Sequence, residues 1–333
     1  MKLSLCMIAK NAAADIQRSL ESLRGQADEM IVVDTGSSDE TPELARAFGA
    51  KVYAFAWRGD FAAAKNFALD KARGDWIVFL DADEWFGEET GKRLRQAVAR
   101  YKDADALLLK MFNVDLDRQG ACVDAFYTAR VFRRAQTIRY CGRIHEQICR
   151  TDGRALRTQR VSEAELFLYH CGYSSSRLQE KAARNLCILQ EEINSGADPA
   201  RFYAYLAEGY AALGKEEEAL HYARLDIALG KQPVTYASRS YRVGIEALKA
   251  LGGSAAELEA MLRQATRDFP EVPDFYAEYA LLCYRQAVSY THLGVKMVNR
   301  DTQEVIKEFP PEKLLEAMEK TKEWIGMFLD KKV

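Results

Sequence analysis

Along the first 85 residues, short apolar runs alternate with stretches whose apolar positions recur at helical spacing. LSLCMIA (3–9) is a short apolar run that predicts a buried strand, and Ile16, Leu20 and Leu23 then fall on one face of a helix. MIVVD (30–34) is a second strand ending on an acid. Thr41, Pro42 and Glu43 read as a helix N-cap, a proline at the first helical position and an acid in the first turn. KVYAFAW (51–57) predicts a third strand, Phe61 to Lys71 a helix, and WIVFLD (76–81) a fourth strand. Repeated strand–helix–strand units of this length make a parallel sheet flanked by helices. Residues 105–112, 123–133 and 161–169 read as further strands without helices between them, so the sheet is expected to become mixed.

From about residue 177 the rhythm changes. Residues 177–290 carry Ala, Leu, Tyr, Glu and Arg at helical spacing, with breaks near Gly196, Gly214, Gly230, Gly252 and Pro270. This predicts a series of helical hairpins. The segment YAYLAEGYAALGKEEEAL (203–220) is tetratricopeptide-like, and FYAEYALLCY (275–284) opens in a similar way, with only weak repetition between them. The domains expected are therefore 1–175, an α/β unit; 176–294, a degenerate tetratricopeptide-like helical region; and 295–333, a Lys-rich helical tail. Residues 1–295 hold 12 Lys and 27 Arg, whereas 296–333 hold 7 Lys and 1 Arg. Either a solvated amphipathic helix or a segment of different origin accounts for that switch.

Composition removes several classes. With 47 Lys plus Arg against 49 Asp plus Glu, the formal charge is −2, which argues against a protein that grips nucleic acid through its phosphates. The seven cysteines are dispersed and include no Cys-x-x-Cys pair, so they are expected to be reduced thiols in the cytosol rather than a zinc site or a disulfide framework. The N-terminal apolar run is broken by Lys10 and Asn11, and no stretch approaches the roughly 20 apolar residues of a membrane span. The expected location is cytoplasmic, with any membrane pathway served from the inner face.

Acids sit where open α/β sheets bind ligands, beyond the carboxyl ends of the strands. Asp34 ends the second run, and Asp81, Asp83 and Glu84 follow WIVFL. An Asp-x-Asp after a buried strand can hold Mg²⁺ or Mn²⁺, which in turn neutralises a diphosphate. Such pairs also occur as solvated turn residues, and the strand before this one favours the functional reading.

Four segments in order, MIAKN (7–11), VVDTGSSDET (32–41), DFAAAKNFAL (60–69) and GDWIVFLDADE (74–84), together resemble family 2 glycosyltransferases of the GT-A fold. YCGRIHEQI (140–148) and LYHCGY (168–173) resemble downstream elements of a bacterial subfamily that carries tetratricopeptide repeats. The resemblance is close over residues 1–175 and loose over 176–290. It implies a GT-A mixed sheet with flanking helices followed by an all-α repeat region. The implied activity is inverting, metal-dependent transfer of a hexosyl group from a nucleoside-diphosphate sugar, UDP-linked by preference. The implied acceptor is a glycan, a lipid-linked sugar or a protein, and the repeats offer a surface to a protein partner.

The resemblance also implies roles for residues. Asp34 is similar to the acid that hydrogen-bonds the base ring. Asp83 resembles the direct metal ligand, Asp81 lies nearer the ribose or donor sugar and shares the metal, and His170 resembles a late histidine that meets metal or diphosphate. Glu146 stands where an inverting enzyme places its general base, with Glu84 next in line. Lys10, Asn11, Asp60, Lys65 and Asn66 resemble donor-pocket residues, while Ala12 and Ala13 replace the usual acid and take no role. Plainer readings stand beside these. Asp34 can simply begin a turn, Asn66 can pair internally, His170 can be a satisfied strand-end histidine, and Glu146 can be a surface partner of Arg143 or Arg150. His145 is read as the neighbour that orients the Glu146 segment.

Two other enzyme classes fit poorly. A dehalogenase-type phosphatase places its Asp-x-Asp near the start of the fold, and here three strands precede it. A nicotinamide enzyme needs Gly-x-Gly-x-x-Gly after the first strand, which MIAKNAAAD lacks. The remaining alternative is a helical-repeat binding protein attached to an inactive transferase domain.

Overall fold

The structure is a computed structural model that describes residues 1–87, 90–172, 178–230, 238–287, 295–298 and 305–309. Two compact units result, Met1–Lys215 and Glu216–Val333.

The first unit opens with β1 (Leu3–Ala9), α1 (Ile16–Glu21), β2 (Glu29–Asp34), α2 (Thr41–Ala47), β3 (Lys51–Ala54), α3 (Phe61–Lys71) and β4 (Trp76–Phe79). β1 pairs with β2 on one side and β4 on the other, and β2 pairs with β3, all parallel. A strand covered on both faces has no polar side, which is why β1 is apolar at every position but Ser4, whose hydroxyl donates to Glu29. Leu3, Leu5 and Met7 pack with Ile16, Leu20 and Leu23, while Cys6 and Ile8 pack with Ala64, Ala68 and Leu69 of α3. α2 begins one residue earlier than its sequence signal: Thr41 is already helical, and its hydroxyl donates to Asp39 while accepting from the Ala12 amide.

The sheet then turns mixed. It continues through β5 (Glu84–Phe86), α4 (Leu94–Arg100), β6 (Ala106–Asp115), β7 (Ala121–Arg133), β8 (Ile138–Cys141), β9 (Gln147–Arg150), β10 (Thr158–Arg160) and β11 (Phe167–His170). The strand order is β3-β2-β1-β4-β7-β6-β11-β5, with β10 also on β6. β7 runs antiparallel to β4 and β6, and β11 runs parallel to β6 and antiparallel to β5. This is the mixed sheet with flanking helices expected of a GT-A domain. β8 and β9 form a separate hairpin, and there the expectation of seven reduced thiols fails, because Cys141 and Cys149 are disulfide-bonded. Cys141 lies opposite Gln147, so Cys149 is its diagonal neighbour on the same face of the hairpin.

Two helices complete the first unit, α5 (Leu178–Asn194) and α6 (Tyr203–Ala212). The second unit contains α7 (Glu216–Ala228), α8 (Arg239–Ala250), α9 (Ala255–Asp268) and α10 (Pro273–Ala287). Its core gathers Tyr241, Ile245, Leu262, Ala265, Phe269 and Phe275. The breaks foreseen at glycines are real helix ends; Gly214, at φ +69°, lets the chain leave α6 through the left-handed region. The tetratricopeptide-like segment 203–220 thus gives α6 to one unit and the start of α7 to the other.

In the tail, residues 295–298 and 305–309 are not helical as expected. They are β12 (Val295–Val298) and β13 (Val305–Phe309), paired antiparallel. The β-branched Val295, Val298, Val305 and Ile306 suit a pleated strand better than a helix. The rest of the expected tail helix lies outside the described residues.

Candidate active site

Asp34, Asp81 and Asp83 all lie at the carboxyl ends of parallel strands, Asp34 on β2 and the other two just after β4. β1, between β2 and β4, is the strand at which the sheet order reverses, and an open sheet places a crevice there.

A buried ion network organises this edge. Lys65, on the sheet-facing side of α3, is 2% exposed; its ammonium lies 2.8 Å from Asp81 and 2.7 Å from Glu146. Burial opposes its charge, but the two carboxylates hold its pKa above the ordinary lysine value. Arg130 on β7 grips Glu84 with two hydrogen bonds of 2.7 and 2.6 Å and reaches the second oxygen of Asp81 at 3.3 Å. Burial also works against the Asp81 carboxylate, and Lys65 and Arg130 overcome it and lower its pKa. Both Asp81 oxygens are therefore turned toward protein cations. Tyr140 lies beside this network against Phe79 and Phe132, and among the described residues its hydroxyl has no hydrogen-bond partner.

Asp83 faces a different set. His170 Nε2 stands 3.5 Å and Lys181 Nζ 2.8 Å from the same Asp83 oxygen. Burial opposes ionisation, yet the histidine and the ammonium hold the Asp83 carboxyl well below the usual range. His170 is oriented by Asn113 Oδ1, 2.7 Å from Nδ1. A Cβ on Gly172 would collide with Lys181, His170 and Asp83 at once, so this meeting of side chains depends on glycine there. Among the described residues no cluster of three or more His, Cys, Asp and Glu surrounds a metal position. Asp83 and His170 alone form an oxygen–nitrogen pair that suits Mn²⁺ or Mg²⁺, with diphosphate and water completing the shell. The donor set fits such an ion, and the Asn113 bond to the other ring nitrogen would fix the imidazole.

The remaining sequence candidates separate. Asp34 accepts from the amides of Gly36 and Ser37, as a turn residue does. Asn11, at φ +48°, accepts from Ser38 N–H and so ties the first loop to the TGSS loop. Lys10 is exposed beside it. Asp60 caps α3 by accepting from Ala63 N–H. Asn66 donates to Tyr140 O and accepts from Tyr140 N–H, so its amide is spent on holding β8 to α3. Glu146 pairs with neither Arg143 nor Arg150: Arg143 binds Glu191 and Glu192 of α5, and Arg150 binds Asp152 and Asp105. His145, at φ +52°, stacks on Tyr205 of α6 with ring centroids 3.6 Å apart.

Three site residues escaped the sequence reading: Arg130, Asn113 and Lys181. A charged residue inside the otherwise half-buried strand 123–133 was the available signal for Arg130. Nothing in the local pattern marks the other two.

Residues 4–141 match the Glycosyl transferase family 2 profile. Over that segment the chain is similar to family 2 glycosyltransferases. Residues 288–331 separately match FlaG protein. The chain is 35% identical over 187 residues to a TPR repeat-containing protein of Synechococcus elongatus, covering 54% of this chain and 44% of that one. It is 25% identical over 236 residues to the SPbeta prophage-derived glycosyltransferase SunS of Bacillus subtilis, covering 66% and 52%. The chain thus spans about half the length of the curated relatives it matches. Among solved structures, S. aureus TarS 1–349 aligns over 92% of this chain and 99% of that chain, at 16% identity and a TM-score of 0.40. Glucosyl-3-phosphoglycerate synthase of Mycobacterium tuberculosis, with Mn²⁺, UDP and glucosyl-3-phosphoglycerate, aligns over 34% and 44% at 27% identity and a TM-score of 0.28. No helix among the described residues is long and apolar enough to cross a membrane.

Proposed function

We propose that this protein transfers a hexosyl group from a nucleoside-diphosphate sugar, UDP-linked by preference, to a nucleophilic acceptor with inversion. The observation that carries the reading is the pair of ionised acids after β4, within a segment that matches family 2, each set against its own cations. Asp83 and His170 would hold Mn²⁺ or Mg²⁺, which when bound supplies positive charge to the leaving diphosphate. Asp81, fixed by Lys65 and Arg130, faces the donor sugar or ribose, and Asp34 and Asn11 line the base end. Glu146 takes the acceptor's proton as the anomeric carbon is attacked, and the Lys65 ammonium holds it in place. Lys10 and Asp60 belong to the rim of the donor pocket. The acceptor is a glycan, a lipid-linked sugar or a protein, and 176–294 presents a surface for it or for a partner. The unit boundaries proposed for function are 1–175 for chemistry, 176–294 for helical contacts and a separate tail from 295.

A panel of UDP- and GDP-sugars, read by thermal shift with Mn²⁺, tests the donor class: at least one should raise the melting temperature. Calorimetry with UDP should show most affinity lost on adding EDTA, and undiminished binding would remove the metal from the reading. The competing view, a repeat scaffold on an inert domain, draws on the neutralising pairs Lys181–Asp83 and Lys65–Glu146. Donor hydrolysis with Mn²⁺ separates the two, since an inert domain releases no sugar.

A further inference from the structure

Helix α5 was read from sequence as the first helix of the repeat region, yet it reaches the acids of the transferase site. Lys181 Nζ is 2.8 Å from Asp83 Oδ2, on the same oxygen that His170 approaches. Arg184 lies one turn further on the same face, its guanidinium 5.2 Å above the Phe61 ring, with only the Asn185 amide oxygen as a polar partner among the described residues. Asp83, Asp81 and Glu146 all act electrostatically on that guanidinium.

The helix is held firmly in this position. Ala182, Ile188 and Leu189 are buried. Arg143, in the loop between β8 and β9, clasps Glu191 and Glu192 on the helix, and Gly59 leaves room for that clasp. The same loop carries Glu146, so one short connection fixes both a site carboxylate and the helix bearing the cations.

An ammonium on a carboxylate that is to receive a divalent ion is a competitor for it. Once displaced, that ammonium stays within a side chain's length of Asp83, where a diphosphate bound through the ion would lie. We propose that α5 supplies this site with its own cations for a diphosphate: Lys181, which holds Asp83 until a divalent ion takes its place there, and Arg184 one turn on. Both are positioning residues, and the proposal rests on the nucleotide-sugar reading above. A lysine is suited to such an exchange because its charge sits on a flexible stem with three donors and no fixed fork. A second cation on the leaving group shares the charge that develops as the glycosidic bond to phosphate breaks.

The test uses the full chain and two probes. Mn²⁺ affinity without nucleotide is measured by electron paramagnetic resonance of the free ion. UDP and uridine affinities at saturating Mn²⁺ are measured by calorimetry. Lys181→Met should bind Mn²⁺ at least fivefold more tightly than the wild type, since the competitor is gone, and bind UDP at least fivefold more weakly with uridine unchanged. Arg184→Met should weaken UDP in the same selective way and leave Mn²⁺ affinity within twofold. Lys181→Arg, which keeps the charge, should restore most of the UDP affinity. Unchanged Mn²⁺ affinity in Lys181→Met, or equal losses for UDP and uridine, would overturn the proposal. A wild-type protein that binds Mn²⁺ but neither UDP nor uridine would sink the nucleotide-sugar reading instead, with the Mn²⁺ comparison still deciding whether Lys181 guards Asp83.

Discussion

Lys65 is an ammonium almost without water, shared by two carboxylates from different parts of the chain. Taking it away leaves Asp81 with Arg130 alone and strips Glu146 of the ammonium it pairs with. Breaking a buried pair in this way costs about 3–5 kcal/mol, so Lys65→Met should show a clearly lower urea midpoint at pH 7 and weak donor binding. Glu146→Gln is milder for the fold, since Asp81 still neutralises Lys65 and the new amide oxygen can accept from it. As general base its loss should cut turnover by about 10²-fold or more with donor affinity nearly unchanged. Turnover above a tenth of wild type would move the base elsewhere. Glu84, the other acid considered from sequence, is poorly placed for that role because it is 1% exposed and bound at both oxygens by Arg130. At this scale the sequence showed which acids gather at the strand ends. It did not show which cation each acid meets, because Lys181 and Arg130 reach them through a long separation in the chain.

Elements were legible where pattern and environment agree. β1 and α3 occupy the residues expected of them, since β1 is apolar on both faces and Asp60 marks the start of α3. The β8–β9 hairpin was invisible: its strands are four residues each, and its disulfide joins two cysteines that sequence spacing alone does not pair. Asp105 plays a comparable tying role nearby, accepting from Arg157 through both backbone and guanidinium and lying 3.5 Å from Arg150. The Arg157 hydrogen bond lowers the Asp105 pKa below its ordinary 3.8. A carboxylate with a depressed folded pKa stabilises the fold above its unfolded pKa and loses that contribution as pH falls through the folded value. Urea midpoints of wild type and Asp105→Asn should therefore differ most at neutral pH and converge as pH drops below 3.8.

For the whole molecule, the change of periodicity near residue 177 and the division of the structure after Lys215 mark different things. The first tracks the end of strand-like sequence. The second places α5 and α6 with the α/β sheet, because Ile188, Leu189 and Leu206 are buried within that unit and Arg143 finds its acids on α5. A chain ended at Lys215 should melt cooperatively close to the temperature of the same transition in the full protein. One ended at residue 175 should melt more than several degrees lower, a shift that a loss of only about 1–2 kcal/mol can produce in a domain of this size. A chain ended at Leu293 should keep donor hydrolysis, since the segment matching FlaG begins only five residues earlier, at 288.

The clasp between Arg143 and α5 also bears on how such a chain is inherited. A gene that exchanged its helical half for another could not break cleanly where the strand-like pattern gives way to the helical one. A crossover near residue 176 would hand on an α/β sheet with Asp83 stripped of Lys181 and Arg143 stripped of both its acids. A crossover after α6 would carry the sheet and its cations together. Lineages that shuffle their repeats should keep these two helices with the sheet, and descendants should vary freely only beyond them.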